Sequence, residues 1–475
     1  MDSNDRPLLL VVFISGACSL LVEIAGARVL APYLGTTIYS WAAVIGVVLA
    51  SLSIGYYAGG VLADRHHDKK HFSLILLSAG LSTLLTPFLG MALLPITLAL
   101  DVASASLIGA LIFAPASLFY GMVSPYAIKL TAKKGEEGKS SGSVFALSTV
   151  GSIMGAIGTG FVLIPNLPVT QIFILAAFLM LASSWAASGI RKESVLDALP
   201  FLAMSFLMLG AQLEPPVKGT VVYSGDSAYY HLRVIDTTWR GGPARVLFLD
   251  NAASSGERPD GEPAFEYVKT TRLAYEIPVN VSRALVIGSA AGTEMEELKR
   301  VYPDAQVDGV EIDEKAVSLG KEYFSFEDDN RTQVIIDDAR RYVLRANATY
   351  DLVLIDAFRG TSLPYHLATK EYLSALRQKL SPDGLVVVNI ISSVDGEKAG
   401  VLDYMHGTFS SVFSDVVIIP TGNDTGKLQN IVLIASDRDL SGFRAAHADR
   451  VYTGPVAEKP PLTDELNPIE LYVAR

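Results

Sequence analysis

A glycine turn and a carboxylate that follows it are the residues of this sequence best suited to hold a nucleoside. Residues 284–293 form an apolar run that breaks into a turn at 288–292, and Glu311 stands about 20 residues further on. Glycine lets the backbone pass close to a ligand, and a carboxylate at the neighbouring strand end can accept both ribose hydroxyls. The spacing predicts a nucleoside-binding α/β domain.

Further carboxylates stand where the pattern places strand ends. Asp337 and Asp338 follow one apolar run, and Asp356 follows the next. Apolar runs that alternate with helical segments favour a mostly parallel, doubly wound sheet, which binds ligands beyond the carboxyl ends of its strands. We therefore expect these acids to share one edge with Glu311. The predicted strands are residues 284–288, 306–312, 332–337, 351–356, 385–390, 415–420 and 430–436.

The charge distribution separates the first 213 residues from the rest. Up to Leu213 there are 11 Lys and Arg against 10 Asp and Glu, so the net charge of −11 falls almost entirely after that residue. The first part holds apolar stretches near the roughly 20 residues needed to cross about 30 Å of hydrocarbon. Seven stretches qualify, and we expect six to eight spans: residues 8–30, 39–62, 72–95, 104–128, 143–164, 168–188 and 195–213.

These boundaries predict four parts. Residues 1–213 form a multi-pass helical bundle, and 214–280 form a linker with a small β-region, whose strands we expect within 220–236 and 245–250. Residues 281–440 form the nucleoside-binding α/β domain, and 441–475 form a C-terminal tail.

Basic loops orient the bundle. By the positive-inside rule, the loops that are rich in Lys and Arg face the cytoplasm. Residues 60–70 also resemble the cytoplasmic loop between the second and third helices of major facilitator transporters. A full seventh span would place the following domain outside, so we interpret 195–213, with Asp197 and Pro200, as interfacial, re-entrant or paired with a further span. The basic residues are Arg65, Lys69, Lys70, Lys129, Lys133, Lys134, Lys139, Arg191 and Lys192.

The expected protein is therefore a multi-pass protein of the cell's inner membrane. Its α/β domain should lie in the cytoplasm, where a nucleoside cofactor is found, and membrane lipid is an expected partner. The glycine-rich stretch 151–160 predicts close helix packing rather than a site.

Metal and nucleic-acid chemistry have little support in the sequence. The seven histidines and the single cysteine, Cys18, show no metal-ligand spacing. His66, His67 and His71 lie in a basic loop suited to lipid headgroups. The part after Leu213 is strongly acidic, which disfavours nucleic-acid binding.

Five elements, in order, resemble the spermidine synthase family of aminopropyltransferases, in the branch fused to a membrane bundle. The resemblance covers roughly residues 217–437 and implies a class I methyltransferase-like (Rossmann-like) doubly wound sheet with a small N-terminal β-region. It is carried by Tyr223-Ser followed after six residues by His231, and by residues 288–293, 310–313, 337–340 and 350–356.

The resemblance implies a role for each matching residue. Glu311 would hold the ribose hydroxyls, Asp338 would accept from the adenine amino group, and Asp356 would be the catalytic carboxylate. Tyr267 falls where the family has a substrate-lining tyrosine, although an aromatic packing role fits it equally. The other implied contacts to the nucleoside are Gly288, Ser289, Ala290, Gly292, Asp337 and Ala339.

Two departures from the family pattern bear on the donor. Ala291 stands where the glycine turn usually carries an aspartate that reads the amino end of the transferred group. Arg359 stands where a second aspartate holds the diamine, and it could instead clamp a carboxylate or point to solvent. Intact S-adenosylmethionine has such a carboxylate and the decarboxylated donor does not, so both donors stay open.

Several other residues are candidates for the substrate side. Glu371, Asp464 or Glu470 could rebuild an amine site, although an acid at a helix start, favoured by the backbone dipole, is the simpler reading of Glu371. For His366 we favour a positioned hydrogen bond over general-base work. Tyr223 and His231 complete the set.

Three functions remain, and all need a small-molecule substrate or ligand. The first is a membrane-bound aminopropyltransferase that uses decarboxylated S-adenosylmethionine and an amine and releases 5'-methylthioadenosine. The second consumes intact S-adenosylmethionine by aminocarboxypropyl transfer or internal cleavage. The third is a nucleoside sensor without turnover. A methyltransferase fits the fold alone. No metal is expected, and a homodimer is possible.

Overall fold

The structure, a computed structural model, divides the chain into two units. The first is Met1–Pro216 with Gly225–His231, and the second is Val217–Ser224 with Leu232–Arg475. The described residues are 6–34, 38–97, 100, 102–132, 135, 137–189, 194–209, 217–277, 280–357 and 364–473.

Long apolar helices make up the first unit. In the part of the chain that the structure describes, six helical segments are long and apolar enough to cross a membrane. The helices are α1 (Arg6–Leu34), α2 (Ile38–Arg65), α3 (Lys69–Thr97), α4 (Val102–Ala110), α5 (Ala114–Thr131), α6 (Glu137–Gly158), α7 (Ile164–Asn166), α8 (Val169–Ser188) and α9 (Ser194–Leu209). A 3₁₀ turn, Leu111–Phe113, joins α4 to α5, and a π turn, Thr159–Leu163, joins α6 to α7.

The seventh predicted stretch, 195–213, corresponds to the shorter helix α9. Its described residues contain the apolar segment Leu196–Met208. Phe201 anchors it, because its buried ring lies 6.0 Å from that of Phe178 on α8. Residues 210–216 lie outside the described part of the chain.

Two glycines of the predicted packing stretch bring α1 and α6 close together. A Cβ at Gly151 would overlap the carbonyl oxygen of Phe13, and one at Gly155 would overlap that of Ala17. The packing prediction is confirmed at these two positions. It is wrong at Gly158, where a Cβ would meet nothing within 4 Å.

The small β-region is a four-stranded sheet in the order β1-β2-β3-β4. Its strands are β1 (Thr220–Asp226), β2 (His231–Trp239), β3 (Gly242–Leu249) and β4 (Ala252–Glu257). The first predicted stretch divides in two at Ser227, whose hydroxyl accepts from the backbone N–H of Tyr229 at 3.0 Å and Tyr230 at 2.9 Å. Strand β4 is missing from the prediction, because its small residues lack an alternating apolar pattern.

A seven-stranded sheet forms the centre of the second unit, in the order β10-β11-β9-β8-β5-β6-β7. The pairs β5/β6, β5/β8, β6/β7 and β8/β9 are parallel, and β11 runs antiparallel to both of its neighbours. This is the expected class I methyltransferase-like sheet, and all seven predicted strands are present. They are β5 (Arg283–Ile287), β6 (Gln306–Glu311), β7 (Thr332–Ile336), β8 (Tyr350–Ile355), β9 (Leu380–Ser392), β10 (Asp415–Pro420) and β11 (Gln429–Ser436).

Helices cover both faces of this sheet, so its strands are apolar on both sides. On β5, Leu285 and Ile287 pack into one buried cluster, and Ala284 and Val286 pack into another. The helices are α10 (Glu266–Thr271), α11 (Thr293–Val301), α12 (Glu314–Tyr323), α13 (Ala339–Arg345), α14 (Lys370–Arg377), α15 (Gly400–Ser410), α16 (Ser441–Ala446) and α17 (Glu470–Val473), and 3₁₀ turns form at Arg272–Glu276 and Tyr365–Leu367.

Candidate active site

The glycine turn between β5 and α11 passes close to the end of β8. Gly288 has φ +82°, and a Cβ there would lie 2.8 Å from the Cα of Ala357. Gly292 has φ +84°, and a Cβ there would overlap the ring of Phe326. Ala290, at φ +42°, holds a backbone conformation that side chains rarely adopt. Positions 288 and 292 therefore favour glycine, because any side chain there would meet both an unfavourable φ and a steric overlap.

Glu311, at the end of β6, is tied to this turn. Its Oε2 accepts from the backbone N–H of Ala290 at 2.9 Å, and its Oε1 accepts from those of Ile312 at 2.8 Å and Asp313 at 3.1 Å. Burial raises the pKa of Glu311, and these three hydrogen bonds oppose the rise. A carboxylate oxygen has about two acceptor sites, so Oε2 can accept one further hydrogen bond from a ligand held by the turn.

Asp337 and Asp338 lie where β7 ends and α13 begins. Oδ1 of Asp338 caps the helix by accepting from the backbone N–H of Arg341 at 2.9 Å, and its Oδ2 lies 3.0 Å from Nε2 of His366. Oδ1 of Asp337 accepts from the backbone N–H of Asp338 at 3.0 Å. Ala339 is buried in the first turn of the helix. His366 thus lies within hydrogen-bonding distance of the predicted adenine-binding acid.

Asp356 directly follows β8, and two side chains hold its carboxylate. The Tyr267 hydroxyl donates to Oδ2 at 2.6 Å, and the Asn389 amide donates to Oδ1 at 2.9 Å. The Asn389 carbonyl oxygen in turn accepts from the Asn430 amide at 3.0 Å. Burial raises the pKa of Asp356 and the two hydrogen bonds oppose the rise, while burial and the nearby Asp356 raise the pKa of Tyr267. The arrangement orients one carboxylate at the edge of the sheet.

Asn389 and Asn430 are not among the predicted site residues. Asn389 interrupts the apolar run 385–391 of β9, and Asn430 follows Gln429 at the start of β11. That interruption is the only signal in the sequence, and it does not name a partner. The partner follows from the sheet order, because β9 lies between β8 and β11.

Glu294, in the first turn of α11, is also absent from the prediction. It is 5% exposed, and its carboxylate is 3.4 Å from the Thr271 hydroxyl and 3.5 Å from the Tyr275 hydroxyl. Burial raises its pKa well above the ordinary value, and Asp356 and Glu297 raise it further. The site therefore contains a second buried acid close enough to Asp356 to influence its charge.

Glu371 is an acid at the start of a helix, which is the simpler of the two interpretations of this residue. It stands in the first turn of α14, and its Oε2 accepts from the backbone N–H of Asp464 at 3.1 Å. The Asp464 carboxylate pairs with Arg340, whose Nη1 donates to its Oδ1 at 2.6 Å. The role of Asp464 in an amine site stays a prediction. The side chain of Glu470 lies outside the described residues.

Tyr223 and His231 contact other residues than those at the edge of the sheet. The Tyr223 ring lies 6.0 Å from that of Tyr323, with the Lys315 ammonium 5.1 Å from its centroid. Nδ1 of His231 lies 2.7 Å from Oδ1 of Asp226. Arg359 lies outside the described residues, so its predicted contact stays a prediction.

One group of possible metal ligands appears among the described residues, although the spacing did not indicate it. Ligand atoms of His66, Asp68 and His71 lie within 4.8 Å of one another. Nδ1 of His71 is 2.8 Å from Oδ2 of Asp68, and the two histidine rings stack at 4.2 Å. The group is at the start of α3, in the first unit, and is separate from the sheet edge described above.

Comparisons with known proteins agree on the second unit. Residues 270–427 match the spermine/spermidine synthase domain family. The chain is 31% identical over 249 residues to a polyamine aminopropyltransferase of Vibrio vulnificus, which covers 50% of this chain and 80% of that protein. It is 24% identical over 460 residues to polyamine aminopropyltransferase 2 of Aquifex aeolicus, 89% of this chain and 87% of that protein. An alignment of that length takes in the helical bundle.

Two solved structures match the chain at lower sequence identity than these two relatives. A probable spermidine synthase from Corynebacterium glutamicum is 22% identical with a TM-score of 0.42, and the match covers 52% of this chain and 92% of that one. A spermidine synthase from Thermotoga maritima is 18% identical with a TM-score of 0.40, over 54% of this chain and 84% of that one.

Proposed function

This chain belongs to the polyamine aminopropyltransferase family and is a transferase of that type, and we propose that it moves the aminopropyl group of decarboxylated S-adenosylmethionine to an amine. The observation that carries the proposal is the Asp356 carboxylate, which Tyr267 and Asn389 orient at the sheet edge where Glu311 also lies.

The proposed step is a displacement at the carbon next to the sulfonium. The amine nitrogen bonds to that carbon while the carbon–sulfur bond breaks, and the electron pair stays on sulfur as 5'-methylthioadenosine leaves. An amine attacks only in its uncharged form, so a base must take its proton. Asp356 suits this task, because burial raises its pKa and makes it a stronger base than an exposed aspartate. The sulfonium leaves easily, so positioning supplies much of the remaining catalysis.

Residues of the adjoining strands would hold the nucleoside. In this proposal Glu311 accepts from a ribose hydroxyl through Oε2, which has only one backbone contact. Asp338 accepts from the adenine amino group and keeps its contact with His366. The turn containing Gly288 lets the backbone pass near the ligand.

The donor is assigned on charge. Intact S-adenosylmethionine adds a carboxylate near the reacting carbon, and the described part of the site presents the acids Asp356 and Glu294 there. Like charges repel more strongly in a desolvated site. Arg359 could reverse this preference for the decarboxylated donor, so the identity of the donor should be tested first.

The bundle is proposed to cross the membrane with its six long helices. The basic loops after α2, α5 and α8 then fall on one side, which the positive-inside rule makes the cytoplasm, and the second unit follows on that side. Fusing a reporter enzyme that works only in the cytoplasm after Arg475 should give activity. Activity only from a periplasmic reporter would overturn this orientation.

The deciding experiment measures 5'-methylthioadenosine release by the detergent-purified protein. We expect product from decarboxylated S-adenosylmethionine with putrescine, and none from intact S-adenosylmethionine alone. Product from the intact compound would overturn the donor assignment and give Arg359 the role of carboxylate clamp. Binding of both compounds without product from either would indicate a nucleoside sensor.

A further inference from the structure

Glu294 is a buried acid in the site that the reaction above does not use. Its two described contacts are hydroxyl groups at 3.4 and 3.5 Å, near the limit for a hydrogen bond. The side chain is nevertheless 5% exposed. A carboxyl group so far removed from water, with only long contacts, is poorly satisfied without a ligand.

The charge around Glu294 lacks a balancing cation among the described residues. Glu297, on the next turn, has two: Arg272 at 2.6 Å and Arg300 at 2.9 Å. Neither Glu294 nor Asp356 has an ion pair in the described part of the chain, and the Asp356 charge raises the pKa of Glu294. Tyr267, which donates to Asp356, and Thr271, which contacts Glu294, lie one turn apart on α10 and so share one face of that helix. Two buried acids held along one helix face attract a cation.

We propose that Glu294 receives the terminal ammonium of the donor's aminopropyl group. The inference rests on the proposed function and adds the residue that selects its donor. An ammonium has three N–H donors, enough to bridge a carboxylate and a neighbouring hydroxyl. Tyr275, 3.5 Å from the Glu294 carboxylate, offers such a hydroxyl.

Residue 291 of the neighbouring glycine turn has no charged group that could bind the ammonium. Ala291, three residues before Glu294, is 1% exposed and offers only a methyl group. Glu294 stands in the first turn of α11, directly after this turn. Intact S-adenosylmethionine would bring its own carboxylate to this acid, and Glu294 therefore selects the decarboxylated donor.

Replacing the acid with its neutral isostere separates this role from a packing role. E294Q should raise the KM for decarboxylated S-adenosylmethionine by about 10- to 100-fold, the loss expected for one charged hydrogen bond. It should leave the affinity for 5'-methylthioadenosine unchanged, because that product lacks the aminopropyl group. E296Q is the matched control on the same helix. Glu296 pairs with Lys299 at 3.0 Å, and its replacement should change neither quantity.

A pH series gives a second readout. Burial and then Asp356 and Glu297 raise the pKa of Glu294 in the empty site, where Tyr275 also faces it. An ammonium favours the ionised acid, so donor binding releases a proton below that pKa and tightens as the pH rises. E294Q should lose this part of the pH dependence, and 5'-methylthioadenosine binding should not show it.

The outcomes separate the two proposals. Equal KM values for wild type and E294Q, or equal weakening of donor and product by E294Q, would overturn the role of Glu294 and leave the transferase intact. If the wild type fails to turn over the decarboxylated donor, the proposed function fails. Direct binding of decarboxylated S-adenosylmethionine and of 5'-methylthioadenosine to wild type and E294Q then still decides whether Glu294 holds the ammonium.

Discussion

The helical bundle and the α/β domain bury polar groups in different ways. In the bundle the buried polar groups are mostly hydroxyls. Some bond within a helix, as when Thr83 donates to the carbonyl of Ala79 at 2.8 Å, and others bond between helices, as when Ser73 meets Ser184 at 2.6 Å. In the α/β domain the buried groups include acids, such as Asp308 and Glu294. A segment surrounded by hydrocarbon must satisfy its polar groups without water. At the carboxyl ends of the strands, where a ligand can bind, an acid can instead remain without a paired cation.

The acids of the α/β domain themselves fall into two kinds. Asp308 is fully paired, with Arg283 at 2.7 Å and the Tyr350 hydroxyl at 3.0 Å. Glu294 and Asp356 have hydroxyl or amide partners but no described cation. Buried acids that are paired support the fold, and those left without a cation at a strand or helix end indicate function. The following predictions test this distinction, from the largest effect to the smallest.

Removing the catalytic charge should have the largest effect. D356N keeps the size of the side chain but takes away the proton acceptor, so kcat should fall by about 10²- to 10⁴-fold. The affinity for 5'-methylthioadenosine should stay near that of wild type, because the proposed partner of Asp356 is the reacting amine and not the nucleoside. The assays are product release and calorimetric binding. Retained turnover would remove Asp356 from the catalytic role.

Neutralising the ribose acid should act on binding instead. E311Q preserves the shape of Glu311 but weakens its hydrogen bonds to the ribose, and we expect 5'-methylthioadenosine to bind about 10-fold more weakly. Calorimetry on the purified variant measures this. Unchanged affinity, together with a lower unfolding temperature, would instead place Glu311 with the structural acids such as Asp308.

In the bundle, packing should matter where charge does not. G151L forces a side chain against Phe13 on α1, and overpacking of this kind destabilises by about 1–3 kcal/mol. The matched control is G158L, since a Cβ at Gly158 meets nothing within 4 Å. Thermal unfolding in detergent compares the two. Equal unfolding temperatures for the two variants would mean that the α1–α6 contact contributes little.

The smallest expected effect is on the pH dependence of kcat/KM. Burial raises the pKa of Asp356, so kcat/KM should fall as the pH drops through that raised value, at a higher pH than for an exposed aspartate. The Tyr267 hydrogen bond opposes the rise. Y267F removes it, the pKa rises further, and the acid limb of the profile moves to higher pH. An unmoved limb would show that Tyr267 only packs against the site.

Much of the fold was predictable because it depends on local patterns. Each of the seven strands has its own apolar run, and the boundaries differ mainly at β9, which extends to Leu380–Ser392 beyond the predicted 385–390. The bundle shows the limit of this approach. Composition predicts one apolar run over 104–128, whereas the structure divides this stretch into α4, a 3₁₀ turn and α5.

The site was predictable only in part. Asp356, Glu311 and Asp338 stand at strand ends that the pattern identifies, and the parallel sheet brings those ends to one edge. The hydrogen bond of His366 to Asp338 and the burial of Glu294 have no local signal. Glu294 in particular has the sequence signature of an ordinary acid in the first turn of a helix.

The sequence by itself determined which segments are apolar enough for a membrane, which form the sheet, and which carboxylates end its strands. These follow from hydrophobic periodicity and from the glycines at the turn, which act over a few residues. The tertiary structure alone decided that Asn389 orients Asp356 and that Glu294 lies buried beside it. The members of these pairs are 33 or more residues apart along the chain, and only the packing of whole strands and helices brings them together and removes the water between them.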